Sequence, residues 1–412
     1  MISKTGAYFT VSTMTMNIVT MLANLITIRW ISPEDIGLWN GYFIFVSYIY
    51  FIQLGVVNGL SRELPFYLGK KKENVAVGLA RTSLSVVSVN TALVLVFGFF
   101  FIWYSAVKST SLGNVFYTSI SIVVLMALQF YTNYLVSTFR SNNSFKKLTY
   151  IYVGMSVFIP VSLLLVMYYN YLGHIIRIPL VALVQLIALH LYRPFKIKPK
   201  FKLKFFKLLT STGIPLFVFN YITLLANTFG RLILLQVGTA LQMGLYSPAI
   251  AVNTAMRLIP VTLSQYIYPK LSYIAGESDS KITIWKLAIK VSFYVSLVLL
   301  PITIVGYLLM PWFIETIFPN YTQGIFAAQL ATIAGLFSGA SIGFVTSLNT
   351  MKAFKHIGML SIARAVIFYG LIFSLAISMN ALDGVAYGVL FSEIVYFIMA
   401  VVISRHYFKE NK

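Results

Sequence analysis

Apolar runs longer than 18 residues recur along the whole chain, and no other feature restricts the fold as much. A bilayer core offers no water to backbone N–H and C=O groups, so a spanning segment must close its hydrogen bonds internally. A helix does this within one segment and needs ~20 residues to cross. Hydrophobic residues make up 59% of the chain and charged residues 10%, against about 25% charged in soluble domains. The sequence therefore predicts an all-α integral membrane protein. Twelve transmembrane helices are expected, beginning near Ala7, Ile36, Val75, Val115, Leu148, Ile178, Ile214, Gly244, Ile282, Ile325, Ile357 and Val385. No small-residue cleavage site follows the first apolar run, so that run is read as a retained helix.

The formal net charge of +21 could suggest nucleic acid, but no soluble basic domain exists to hold it. The basic residues are instead sorted by side. Twenty-six of the 31 Lys and Arg fall in loops on one face, from Lys4 through Lys70-Lys71-Lys72 and the 193–207 stretch to Lys352, Lys355, Arg364 and the tail. The opposite loops keep Arg29, Lys108 and Arg177, with Trp30, Trp39, Trp103 and Trp312 near helix ends. This asymmetry places both termini in the cytoplasm. The basic stretch separates two expected lobes of six helices, at 1–192 and 211–412. Residues 193–210 form a cytoplasmic linker lying on anionic lipid.

The halves look related. Ile36-Gly37-Leu38-Trp39 resembles Met243-Gly244-Leu245-Tyr246, and Phe145-Lys146-Lys147 resembles Phe354-Lys355-His356. Six helices per half preserve orientation, so the repeat is parallel, with a central cavity between the lobes. Pro160, Pro215, Pro248, Pro260 and Pro301 fall inside spans and would permit bending.

Two apolar segments, 214–237 and 244–267, carry Arg231 and Arg257. At 1.5 Å per residue, Arg231 sits roughly 10 Å inside one face and Arg257 roughly 20 Å in. An arginine at mid-bilayer costs at least about 2.5–3.5 kcal/mol. Snorkelling serves Arg257 badly, and neither segment holds a carboxylate to pair with it. A water-filled, anion-accepting cavity is the expected setting. Asn227 lies one turn from Arg231, and Asn253 one turn from Arg257, so each pair shares a helix face. Glu393 is the carboxylate expected inside the last span, as a structural partner for an Arg or Ser or as a proton carrier. The first six spans are read as lacking an interior carboxylate.

The chain has no cysteine, no histidine pair at metal-ligand spacing and no phosphate-binding glycine loop, so no metal or cofactor is expected. A membrane glycan polymerase or ligase would need long external loops for its catalytic groups, and these loops are short. The chain is read as a transporter rather than an enzyme.

Arg29-Trp30-Ile31-Ser32-Pro33-Glu34-Asp35-Ile36-Gly37-Leu38-Trp39 resembles the opening hairpin of bacterial polysaccharide flippases of the O-antigen type, within the MOP exporter superfamily. Gly213-Ile214-Pro215, Arg231, Gly244-Leu245-Tyr246 and Tyr268-Pro269-Lys270-Leu271-Ser272 look like that family's seventh and eighth helices. The resemblance implies a flippase for undecaprenyl-pyrophosphate-linked oligosaccharide in the bacterial inner membrane, working beside other polysaccharide assembly proteins. It implies Arg257, Arg231, Arg29, Asn253 and Asn227 as substrate-binding candidates. Multidrug exporters of the same superfamily, the rival reading, generally use acidic residues in the N-terminal lobe.

Overall fold

The computed structural model describes residues 4–108, 113–278, 281–351 and 353–409. Among these the chain is helical, with no strand. The helices are α1 (Lys4–Thr27), α2 (Pro33–Tyr48), α3 (Val56–Gly69), α4 (Glu73–Lys108), α5 (Asn114–Ser141), α6 (Phe145–Val161) and α7 (Leu163–Leu191). They continue with α8 (Leu203–Val237), α9 (Ala240–Leu245), α10 (Ser247–Ser278), α11 (Lys281–Ile317), α12 (Ile325–Ala340), α13 (Ile342–Thr350), α14 (Phe354–Ser378) and α15 (Ala381–Lys409). Each of the twelve expected starts falls inside a separate helix. By length and apolarity, eight described helical segments could cross a membrane, or nine if one bent pair counts as a span. The helices carrying Arg231 and Arg257 are not among them. The chain divides into two compact units, Met1–Tyr221 and Ile222–Lys412, with the division inside α8.

The Ser-Pro-Glu-Asp turn starts α2 by ordinary capping chemistry. Ser32 Oγ accepts from the Asp35 N–H at 3.2 Å, and Pro33 takes the first helical position, where no N–H is needed. Glu34 and Asp35 then complement the positive end of the helix. Asp35 also accepts from the Asn114 side-chain amide at 2.6 Å, which ties the start of α5 to this turn.

One abrupt bend falls at a glycine rather than at a proline. Leu54 and Gly55 adopt positive φ of 48° and 71°, and α3 leaves the axis of the preceding helix by 55°. Gly55 is required here twice over. Its φ suits glycine, and an added Cβ would lie 2.5 Å from the Gly213 carbonyl carbon. Beyond the bend α3 carries Glu63, which is buried and accepts from the Thr212 hydroxyl at 3.1 Å. The first unit thus holds a protein-buried carboxylate that the sequence reading did not single out. The bend was invisible because Gly55 looked like any glycine in an apolar run.

A second break falls at Asn170 (φ 47°, ψ −122°), which divides α7. Arg177 follows it, and it is not a loop residue as expected but a buried one, 2% exposed. Its guanidinium donates to Ser162 Oγ at 2.9 Å, and to Asn24 Oδ1 and Thr27 Oγ1 at 3.4 Å. The 192–202 connection is pinned to the first unit: Lys200 N–H donates to the Arg81 carbonyl at 3.3 Å, and Phe195 and Ile197 pack on its core.

Candidate functional site

The second unit brings its charged side chains together through close helix packing. Gly384 and Gly388 are four residues apart on α15, so both face α14. A Cβ on Gly388 would lie 2.6 Å from the Ile372 Cα, and one on Gly384 would lie 2.7 Å from the Ala376 Cα. Small residues at this spacing let two membrane helices approach backbone to backbone. The approach carries Arg364 of α14 onto Glu393 of α15. Gly388→Leu is expected to overpack this seam by about 1–3 kcal/mol and to pull the two apart. A thermal melt of purified protein at wild-type stability would refute that.

On the other side, α8 turns into α10 through α9. A capping box starts α9: the Gln242 N–H donates to Thr239 Oγ1 at 3.2 Å, and Gln242 Oε1 accepts from the Thr239 N–H at 3.0 Å. The Gln242 amide also donates to Asn380 Oδ1 at 2.7 Å, joining this turn to the α14–α15 connection. The turn sets Asn227 and Arg231 of α8 beside Asn253 and Arg257 of α10, where all four line one cavity of about 190 Å³. Tyr246, Thr254 and Glu393 line it too.

Glu393 Oε1 accepts from Arg257 Nη2 at 2.9 Å and from Arg364 Nη2 at 3.0 Å. Asn227 Oδ1 bridges the same two guanidiniums, at 2.7 Å from Arg257 Nη1 and 3.3 Å from Arg364 Nη2. The Glu393 side chain is 1% exposed and Arg364 9%, whereas Arg257 is 29% exposed. Arg364 is also held between rings, its Cζ 4.7 Å from the Phe368 centroid and 4.3 Å from Tyr396. Arg364 is thus fixed behind Glu393, and Arg257 is the arginine of the pair that reaches the cavity.

Two guanidiniums (Arg257, Arg364) share one carboxylate (Glu393), and Arg231 lines the same cavity, so among the described residues these side chains number three guanidiniums to one carboxylate. Several of its polar atoms find no protein partner among the described residues: Arg257 Nε, Arg364 Nε, Asn253 Oδ1 and Glu393 Oε2. Each buried polar atom left unpaired costs about 1–3 kcal/mol. A wall with more guanidinium than carboxylate can accept an anion, and the partly exposed Arg257 can match the oxygens of a phosphate in a fork geometry.

Of the sequence candidates, Asn227, Arg231, Asn253, Arg257 and Glu393 meet at this cavity. Arg29 belongs to the other unit, exposed in the short 3-10 turn Ile28–Trp30 that ends the first span. The side chains of Tyr268, Pro269, Lys270 and Ser272, part of the eighth-helix motif, lie outside the described residues. The sequence reading missed Arg364, which it placed in a basic loop with Lys352 and Lys355. The position of Arg364 inside the apolar stretch of α14, and the Gly384/Gly388 pair opposite, were the available signals.

A family profile described as "Polysaccharide biosynthesis protein" matches residues 26–325. No curated protein matches the chain. Among solved structures, an inward-facing multidrug resistance MATE family transporter of the MOP superfamily aligns with TM-score 0.79 and 14% identity, over 95% of this chain and 94% of its own. The lipid II flippase MurJ, in an inward closed conformation, aligns with TM-score 0.72 and 13% identity, over 96% and 86%. An outward-facing MATE transporter aligns at 0.65 with 15% identity, over 98% and 95%. By its helices and its sequence profile, this multi-pass membrane chain belongs to the polysaccharide biosynthesis protein family and has the fold of MOP-superfamily transporters.

Proposed function

We propose that the chain is a flippase for undecaprenyl-pyrophosphate-linked oligosaccharide, an O-antigen or related repeat unit. It moves this cargo by alternating access from the cytoplasmic to the outer leaflet of a bacterial inner membrane, with both termini cytoplasmic. One observation supports the reading: a cavity walled by Arg231 and Arg257, with Arg364 behind, has more guanidinium than carboxylate among the described residues. A lipid-linked pyrophosphate is an anion, and arginine is the side chain that best forks onto phosphate oxygens. Arg257 and Arg231 are assigned to the pyrophosphate, with Asn227 and Asn253 contributing polar contacts. Arg29, exposed at the end of the first span, is placed for a phosphate at headgroup level.

In the resting site Glu393 bridges Arg257 and Arg364 and offsets one of their two charges. An arriving phosphate competes for Arg257, the more exposed of the two, while Arg364 keeps Glu393 paired and oriented. The exchange avoids leaving two guanidiniums unpaired in a low-dielectric wall when the cargo departs.

Purified protein in proteoliposomes is expected to translocate a lipid-linked pyrophosphate oligosaccharide without changing its chain length. Accessibility of the headgroup to an external glycan-modifying enzyme reads out translocation. Chain growth or ligation instead would make the protein a polymerase or ligase. Transport of an organic cation in place of the anionic lipid would favour a multidrug exporter, the reading that buried Glu63 in the first unit supports.

A further inference from the structure

The first unit carries a second, larger concavity that the flippase mechanism does not use. It lies between α6 and the later half of α7, encloses about 660 Å³, and is lined chiefly by apolar atoms. Lys147, Tyr150 and Tyr192 stand at one end, Gly154 and Val184 along the walls, and Phe158 at the other end. Lys147 is exposed and has no carboxylate partner among the described residues. A Cβ built on Gly154 would meet nothing within 4 Å, so the groove is open at its middle.

We propose that this groove is a binding site for one anionic phospholipid of the leaflet on the basic side of the protein. From Lys147 to Phe158 the α6 axis advances about 16 Å, close to half of a ~30 Å hydrocarbon core. The groove therefore takes an acyl chain of one leaflet and stops near mid-bilayer. A cargo lipid must present its headgroup to both leaflets in turn, so a groove confined to one leaflet suits a resident lipid better. At the mouth, Tyr150 and Tyr192 offer the amphipathic rings that settle at headgroup depth. Lys147 supplies the countercharge for a phosphate, and Lys146 and Arg140 belong to the same basic side. This assignment does not depend on what the protein transports.

The test is native mass spectrometry of the detergent-purified full chain, titrated with phosphatidylglycerol or with phosphatidylcholine of equal chain length. One phosphatidylglycerol per chain is expected to survive collisional activation that strips the rest, with phosphatidylcholine retained less. Lys147→Gln should lower phosphatidylglycerol retention about fivefold, the effect of one basic residue at an anionic surface. Gly154→Leu, which fills the groove, should lower retention of both lipids. Lys147 is on the surface, so its variant reports on binding even if Gly154→Leu folds poorly. Equal retention of the two lipids by the wild type, or no change in Lys147→Gln, would reduce the groove to ordinary lipid solvation and overturn the proposal. Displacement of phosphatidylglycerol by equimolar undecaprenyl phosphate would overturn it in favour of the carrier lipid. Either result leaves headgroup translocation in proteoliposomes as a separate measurement.

Discussion

Replacing Arg257 by alanine is expected to abolish export of surface polysaccharide while leaving the protein inserted and folded. Arg257 combines exposure to the cavity with two charge-assisted bonds, to Glu393 and Asn227. Hydrogen bonds to charged groups contribute about 1.5–3 kcal/mol each. A phosphate held by a two-bond fork would thus lose roughly 3 kcal/mol or more, over a hundredfold in affinity. The fold should tolerate the loss, because Glu393 keeps its bond to Arg364 and is not left as a lone buried charge. Arg257→Lys restores the charge without the planar fork and should recover part of the activity. The measurement is surface polysaccharide in cells with the variant as sole copy, beside its membrane abundance and melting temperature. Wild-type polysaccharide in the alanine variant would remove Arg257 from the transport path.

The sequence was most readable where hydrophobic length decides the structure. Helix starts such as Val115 and Ile282 lie at the head of long apolar runs, and nothing tertiary competes with that signal. The Ser32–Asp35 turn was legible because its capping is local. Arg231 and Arg257 were legible as cavity residues in 214–267 because no basic neighbour offered a loop as an alternative. Arg364 and Arg177 had such neighbours or lay near helix ends, and charge sorting absorbed them into loops. Their burial depends on partners distant in sequence, Glu393 for one and Asn24, Thr27 and Ser162 for the other. The ion pairing of Arg257 was hidden for the same reason. Its partner is 136 residues away on α15, and periodicity within one helix says nothing about which helices meet.

Glu393→Gln is expected to shift the site from a balanced exchanger to an anion trap. The substitution keeps the shape and one acceptor oxygen but raises the net charge of the cluster by one. Removing one partner from a buried ionic set costs about 3–5 kcal/mol, so the variant should melt well below the wild type. Inorganic pyrophosphate should restore much of that loss, because an added anion then supplies the countercharge that Glu393 supplied. Affinity for a pyrophosphate probe should rise at least tenfold. Headgroup flux should fall, because the carboxylate that displaces the product from Arg257 is gone. The driving force can be separated in the same liposomes by imposing potential and pH gradient independently. Two charges crossing the full field gain roughly 4–5 kcal/mol per 100 mV, less whatever moves with the arginines. Potential alone should therefore drive the wild type. Flux that responds only to the pH gradient, and loses that response in Glu393→Gln, would make Glu393 a proton carrier. A variant that melts, binds pyrophosphate and transports like the wild type would leave the ion pair with no part in the cycle.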